Sequence, residues 1–114
     1  MAVNGHSQHD DALTLRVLVF RGSKKWIAQC LDFDFGVQAD SQELLPARFL
    51  RAIQAEIAFS IGRSLVPFRR LPKAPQRFWD MWERGSDLQA AQWAAAEGIF
   101  PPGGAAVQPR ELRA

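Results

Sequence analysis

An alternation with a period of two runs through the residues that follow position 12. Every second residue from position 13 to position 19 is aliphatic: Leu13, Leu15, Val17 and Val19. Such alternation is typical of a β-strand. Both faces become apolar towards Phe20, so we expect layers on both sides of the sheet there. Gly22 suits a hairpin turn over residues 21–24. Runs at 25–31 and 35–39 continue the pattern and predict an antiparallel meander of three strands.

A helical period replaces the alternation after Asp40. Asp40 and Glu43 have the spacing of a capping box. Apolar residues at steps of three and four then form one stripe, as a helix packed on a sheet requires: Leu45, Phe49, Ala52, Ile53, Ile57 and Ile61. Pro46 predicts a late start or a bend in the first turn, and Gly62 predicts the helix end.

The residues after the long helix predict smaller elements. Residues 63–74 form a connector rich in Pro and Arg, within which Ser64–Phe68 is a candidate for a short fourth strand. Pro75 suits the first position of a helix that runs to Arg84. The predicted fold class is therefore α+β, with a three-stranded antiparallel meander packed on one long helix and followed by two short C-terminal helices.

The second short helix and the two ends of the chain define the predicted domain limits. Residues 86–97 begin with a capping-box pair and predict an Ala-rich helix. Residues 1–11 are polar without periodicity, and residues 101–114 begin with Pro and Gly, so both are predicted to be flexible tails. Residues 12–100 then form a single domain, which suits a chain of 114 residues.

Composition restricts the classes of function. The formal charge of +2 and the pI near 9.2 are mildly basic, whereas dedicated nucleic-acid binders have a denser basic footprint. The longest mainly apolar stretch, residues 52–66, is shorter than the roughly 20 residues of a membrane span. The N-terminus has no basic start with an apolar run behind it, so no secretory signal is expected. The single cysteine cannot form an internal disulfide. We expect a cytoplasmic protein without a membrane partner.

Few residues have the chemistry of catalysis. Asp32, Asp34 and Asp40 form the one acidic cluster near strand ends, but two-metal catalysis needs convergent carboxylates, and we interpret these as turn and cap residues. Cys30 has no histidine near it in the predicted domain, so we expect a buried apolar side chain and no nucleophile. The sequence therefore predicts no catalytic residue, no metal ligand, no cofactor and no enzyme.

Three segments together resemble a known family. Residues 26–34 contain the string Ala28-Gln29-Cys30-Leu31 followed by Asp34, and residues 37–40 and the Leu45–Ile61 helix complete a β-β-β-α order. Over residues 13 to about 62 this is similar to the N-terminal domain of HicB-type antitoxins. The resemblance implies a partly degenerate RNase H-like fold that binds a small toxin, assembles as dimers or tetramers and has no catalysis. The DNA-binding module of that family has no clear counterpart after Gly62.

Aromatic residues of the first short helix are candidates for a binding site. Phe78, Met81 and Trp82 share one face, whereas Trp79 points about 100° away and is expected to be less buried. Two interpretations stay open: the helix docks on the sheet, or it anchors a partner or a second subunit. The predicted protein-binding residues are Trp26, Arg69, Arg70, Phe78, Trp79 and Trp82.

A basic cluster in the connector supports an alternative. Its members are Arg63, Arg69, Arg70, Lys73 and Arg77. They form either a solvated surface or, with the tryptophans, a nucleic-acid site. Our hypothesis is a non-enzymatic binding module, resembling a HicB-type antitoxin, that masks a small toxin or another nucleic-acid-processing protein. Nucleic-acid binding is the alternative that we favour less. Because the edges of a three-stranded sheet must be paired or covered, we also expect a homo-oligomer.

Overall fold

The computed structural model describes residues 13–88, Trp93 and residues 105–112. The elements in chain order are strands β1 (Leu13–Arg21), β2 (Trp26–Cys30) and β3 (Phe35–Ala39), a 3-10 turn (Gln42–Leu44), helices α1 (Leu45–Gly62) and α2 (Gln76–Glu83), and strands β4 (Ser86–Asp87) and β5 (Ala105–Leu112). In this part of the chain, no helix has the length and apolar character needed to cross a membrane.

The five strands form one mixed sheet in the order β3-β2-β1-β5-β4. β1, β2 and β3 are the predicted antiparallel meander, in which Val19 pairs with Ala28 and Ala28 pairs with Val37. The hairpin turn begins at Gly22, whose N–H donates to the carbonyl of Lys25 at 2.7 Å. The α+β class is confirmed, and the meander is one part of a larger sheet.

Residues 101–114 are predicted to be a flexible tail, and strand β5 corrects this prediction for residues 105–112. It runs parallel to β1 along its whole length, with Val107 beside Leu15 and Pro109 beside Val17. No strong alternation marks this segment, because Gln108, Pro109 and Arg110 interrupt the apolar pattern. Its strand conformation depends on pairing with β1, whose second edge would otherwise be open.

Two further elements after α1 differ from the prediction. Ser64–Phe68 is not a strand, because the chain turns there and both Ser64 and Phe68 have positive φ angles, 57° and 71°. The predicted Ala-rich helix over 86–97 begins instead with β4, which pairs antiparallel with β5. Most of the remaining predicted helix lies outside the described residues. Trp93, which is described, packs edge-on against Phe49 with ring centroids 5.4 Å apart.

Both faces of β1 are covered, as predicted from its apolar end. Leu15, Val17 and Val19 belong to the core beneath α1, which also contains Leu45, Phe49 and Ile53. Leu18 and Phe20 point to the other face and pack with residues of α2. The sheet therefore lies between a long helix and a short one.

Helix α1 starts late, as Pro46 predicts. The 3-10 turn precedes it, and Pro46 lies in its first turn. The predicted capping box does not form: neither N-cap makes a side-chain hydrogen bond, and the Asp40 carboxylate pairs with Lys25 instead.

The predicted apolar stripe of α1 holds except at its end. Leu45, Phe49 and Ile53 are fully buried, whereas Ile61 is 62% exposed. Each step of four residues exceeds one helical turn by about 40°, so four such steps rotate Ile61 by about 160° from Leu45. Ser60 takes the buried position in the last turn.

Candidate functional site

The predicted aromatic anchor is largely a packing element. Trp82 is buried and Phe78 half-buried, and both belong to the cluster between α2 and the sheet. The Phe78 ring lies 6.1 Å from that of Phe20 on β1. Of the two interpretations that the sequence left open, docking of α2 on the sheet is the one observed.

Trp79 is also held by the protein itself. It is half-buried, its Nε1 donates to the carbonyl of Ala74 at 3.2 Å, and the Arg16 guanidinium lies 5.6 Å from its ring centre. Trp79 is less buried than Trp82, as predicted, but it is in contact with the protein itself, because the connector before α2 lies along it. Trp26 is half-buried too, with the Arg21 guanidinium 5.9 Å from its ring centre.

The predicted basic cluster divides between two sides of the sheet. The Arg63 and Arg70 guanidiniums lie 4.0 Å and 4.7 Å from the ring centre of Phe59, on the α1 side. Arg77 lies 4.5 Å from the ring of Phe78, on the α2 side. Lys73 and Arg69 are exposed in the connector. The five cations therefore do not converge on one groove.

A single carboxylate attaches the connector to α1. The Glu56 side chain, 12% exposed, accepts hydrogen bonds from Ser60 Oγ at 3.0 Å, from the Phe68 amide at 2.9 Å and from Arg70 Nη2 at 2.7 Å. The Arg70 guanidinium is the main reason why the pKa of Glu56 falls from 4.5 to about 2. These bonds keep Arg70 beside Phe59.

A groove of about 340 Å³ runs between strand β3 and helix α1. Its lining is mostly apolar: Phe35, Gly36, Ala52, Ala55, Glu56, Phe59, Phe68 and Leu71. The floor is rigid, because Phe35 stacks on Phe49 with centroids 5.3 Å apart and contacts Phe68 at 5.5 Å. Two alanines on the wall of α1 leave the groove open.

Strand β3 forms the other wall and is the outermost strand of the sheet in the part of the chain described. Its two ends are held: the Asp34 amide donates to the Pro72 carbonyl at 2.7 Å, and Arg48 Nη1 donates to the Gln38 carbonyl at 3.0 Å. Between them, Gly36 is exposed. The groove therefore has a strand edge along one side.

Sequence reasoning did not find this groove. Its lining comes from β3, from α1 and from the connector, and the connector's position depends on Glu56. One signal was available in the sequence. Phe59 is a large apolar residue outside the buried stripe of α1, on the same flank as Ala52 and Ala55, and it is 41% exposed.

The acidic residues considered for metal binding each have a separate partner. Asp32 accepts from the Arg16 amide at 2.7 Å and pairs with its guanidinium, and Asp34 accepts from Gln29 Nε2 at 2.9 Å. Asp40 pairs with Lys25. Across residues 13–88, Trp93 and residues 105–112, no three His, Cys, Asp or Glu side chains are grouped as metal ligands.

Cys30 lies in the core beneath α1, as predicted for a buried apolar side chain. Burial raises the pKa of its thiol to about 12. A thiol with this pKa stays protonated near neutral pH and is a poor nucleophile.

Comparisons of this chain with protein-family models, with curated proteins and with solved structures find no match. The candidate site therefore depends on the geometry of the chain itself. Of the surfaces described, the groove between β3 and α1 combines an apolar floor, an outermost strand and arginines close to an exposed aromatic ring.

Proposed function

We propose that this chain is a non-enzymatic protein-binding module, of the kind formed by the N-terminal domain of HicB-type antitoxins, and that it masks a small toxin or another nucleic-acid-processing protein. The proposal depends mainly on one observation, the groove between β3 and α1. A concave apolar site with a few placed polar groups is the usual form of a binding site, and this one adjoins a strand edge.

The arrangement of the sheet supports the choice of family. The resemblance over residues 13 to about 62 implies a β-β-β-α order, and β1, β2, β3 and α1 follow each other in that order. Helix α2 and strands β4 and β5 come after the residues that the resemblance covers.

Phe59 is the proposed anchor of the partner. Aromatic residues, including Phe, and arginine are enriched in protein interfaces. Arg63 and Arg70 both lie against the Phe59 ring, and Arg70 is held there by Glu56. Since Arg70 is already held by Glu56, it loses less conformational entropy when a partner binds.

Nucleic-acid binding, the alternative from the sequence, has less support from the geometry. A site of that kind needs several cations along one groove and aromatic faces open for base stacking. The basic residues lie on two sides of the sheet, and Trp79 and Trp82 pack between α2 and the sheet.

The test is affinity capture from cell extract with three baits: the unmodified chain, Phe59→Ala and Ile61→Ala. Ile61 is a matched control, because it is an exposed large apolar residue on the opposite flank of α1. We expect a protein that binds the unmodified chain and Ile61→Ala at low and at high salt, and that binds Phe59→Ala about tenfold more weakly after purification.

Two results would contradict the proposal. One is equal capture by all three baits. The other is capture of nucleic acid alone with a steep loss at high salt, since binding to phosphates weakens by orders of magnitude as salt rises.

A further inference from the structure

We propose that the occupant of the groove is an extended segment of the protein partner, which adds as a strand beside β3 and carries carboxylates at both ends. This inference rests on the proposed function and specifies how the partner is held. Strand addition uses main-chain hydrogen bonds for affinity and pockets for alternate side chains for specificity.

The edge of β3 supplies the main-chain part of this recognition. β3 is a terminal strand of the sheet in the described residues, and exposed Gly36 lies between its two held ends. A side chain at Gly36 would meet Gln29 Oε1 on β2 at 3.0 Å, so the outer edge itself is bordered by the backbone between the two held ends.

The wall of α1 supplies the side-chain part. Ala52 and Ala55 are small and line the groove together with Phe59 and Phe35. Successive residues of a strand point to opposite faces. Every second residue of the added segment therefore enters the space above the two alanines, and apolar side chains suit that space.

Arginines at the two ends of the groove determine the charge of the segment. At one end, Arg48 Nη1 donates a hydrogen bond to the Gln38 carbonyl of β3. At the other end, the Arg63 guanidinium lies against the ring of Phe59. Neither of these two arginines forms one of the described salt bridges, although Lys25, helped by Arg48, lowers the pKa of the nearby Asp40 carboxyl. Guanidinium groups pair well with carboxylates, so acidic residues at both ends complement the site.

The spacing of the two arginines sets the length of the segment. Arg63 directly follows α1 and lies about fifteen residues after Arg48, which at about 1.5 Å per residue is about 22 Å. An extended chain advances about 3.3 Å per residue. The segment is therefore about seven residues long, with acidic ends and alternating apolar residues between them.

The experiment uses the whole chain and three labelled heptapeptides, with affinities from fluorescence anisotropy. The first is Glu-Val-Thr-Val-Thr-Val-Glu. The second has the same sequence with alternate amides methylated, which removes strand hydrogen bonds, and the third has Lys at both ends. We expect the first peptide to bind with a Kd below about 1 mM and each of the others to bind about tenfold or more weakly. Arg63→Glu should reverse the preference between Glu and Lys ends.

Equal binding of the methylated peptide, equal binding of the Lys-ended peptide, or no binding of the first peptide at about 1 mM would each overturn strand addition. A second copy of the chain is the competing occupant. A dimer seen by sedimentation that Arg48→Glu dissociates would also overturn it. The proposed function is tested separately: it fails when Phe59→Ala binds the captured protein as tightly as the unmodified chain does.

Discussion

At the scale of single residues, Glu56 forms several contacts that its position in the sequence does not predict. A glutamate on the helix between apolar residues would ordinarily be solvated. Here it binds Ser60, the amide of Phe68 and the guanidinium of Arg70 at once. Phe68 and Arg70 belong to the connector, so one carboxylate determines where that segment lies against α1. The wall of the groove follows from this contact.

The substitution Glu56→Gln should lower the free energy of unfolding at pH 7 by about 2 kcal/mol, because charge-assisted hydrogen bonds to a mostly buried carboxylate are lost. The folded pKa of about 2 lies below the ordinary 4.5. The stabilisation is therefore complete above about pH 4.5 and disappears as pH falls towards 2. Urea unfolding of both proteins across that range checks the difference between them.

Asp40→Asn is the control for Glu56→Gln, since the Lys25–Asp40 pair is exposed and exposed pairs contribute little. We expect its unfolding midpoint at pH 7 to equal that of the unmodified chain. A difference between Glu56→Gln and the unmodified chain that is constant from pH 7 to pH 2 would refute the role of the carboxylate.

Trp79→Ala should destabilise the protein by about 2 kcal/mol, because a half-buried ring and its hydrogen bond to Ala74 are lost. Partner binding should be unchanged, since Trp79 lies on the α2 side of the sheet. Thermal unfolding and the affinity of the captured partner measure the two effects. An unchanged midpoint with weakened binding would return Trp79 to the role of anchor.

At the scale of elements, β5 shows that a strand without a strong alternation of apolar and polar residues can lie inside a sheet. β5 lies between β1 and β4 and pairs in parallel with the longest strand of the described residues. Its apolar residues serve both faces: Val107 packs in the core beneath α1, and Leu112 packs near α2. The two layers of helix therefore share the β1–β5 pair.

Val107→Asp should destabilise the protein by about 3 kcal/mol or more, because Val107 is 4% exposed and a charge there is buried in an apolar core. Gln108→Asp is the matched control, since the neighbouring side chain is exposed and on the other face. Urea unfolding measures both variants. If residues 105–112 were a flexible tail, the two substitutions would have the same small effect.

At the scale of the whole molecule, the fold separates stability from the proposed binding. The core beneath α1 joins segments that are far apart in sequence: Phe49 contacts Phe35 of β3 and Trp93. Phe59, ten positions later on the same helix, is partly exposed in the groove. Two phenylalanines of one helix thus have different roles.

Phe49→Ala should reduce the free energy of unfolding by about 3–5 kcal/mol, as for other core phenylalanines. Phe59→Ala should reduce it by less than about 1 kcal/mol, since partly exposed positions tolerate substitution. Chemical unfolding of the two variants side by side gives the comparison. A similar loss in both would place Phe59 in the core and remove it from the proposed interface.

Local patterns determined several elements of this protein. The three strands from Leu13 to Ala39, the late start of α1 at Pro46 and the helix at Gln76–Glu83 follow from periodicity and from the preferences of Pro and Gly, and each was predicted. The burial of Leu45, Phe49 and Ile53 was predicted as well. These features depend on residues that are close in sequence, so the sequence displays them directly.

Only the tertiary structure decided the strand β5, the turn at Ser64–Phe68 and the groove. β5 is a strand because the second edge of β1 accepts its hydrogen bonds. The connector turns because Glu56 binds the amide of Phe68 and the side chain of Arg70. The groove lies where β3, α1 and this connector meet. Contacts between distant residues select these conformations against weak local preferences, and one-dimensional patterns contain no information about which distant residues will meet.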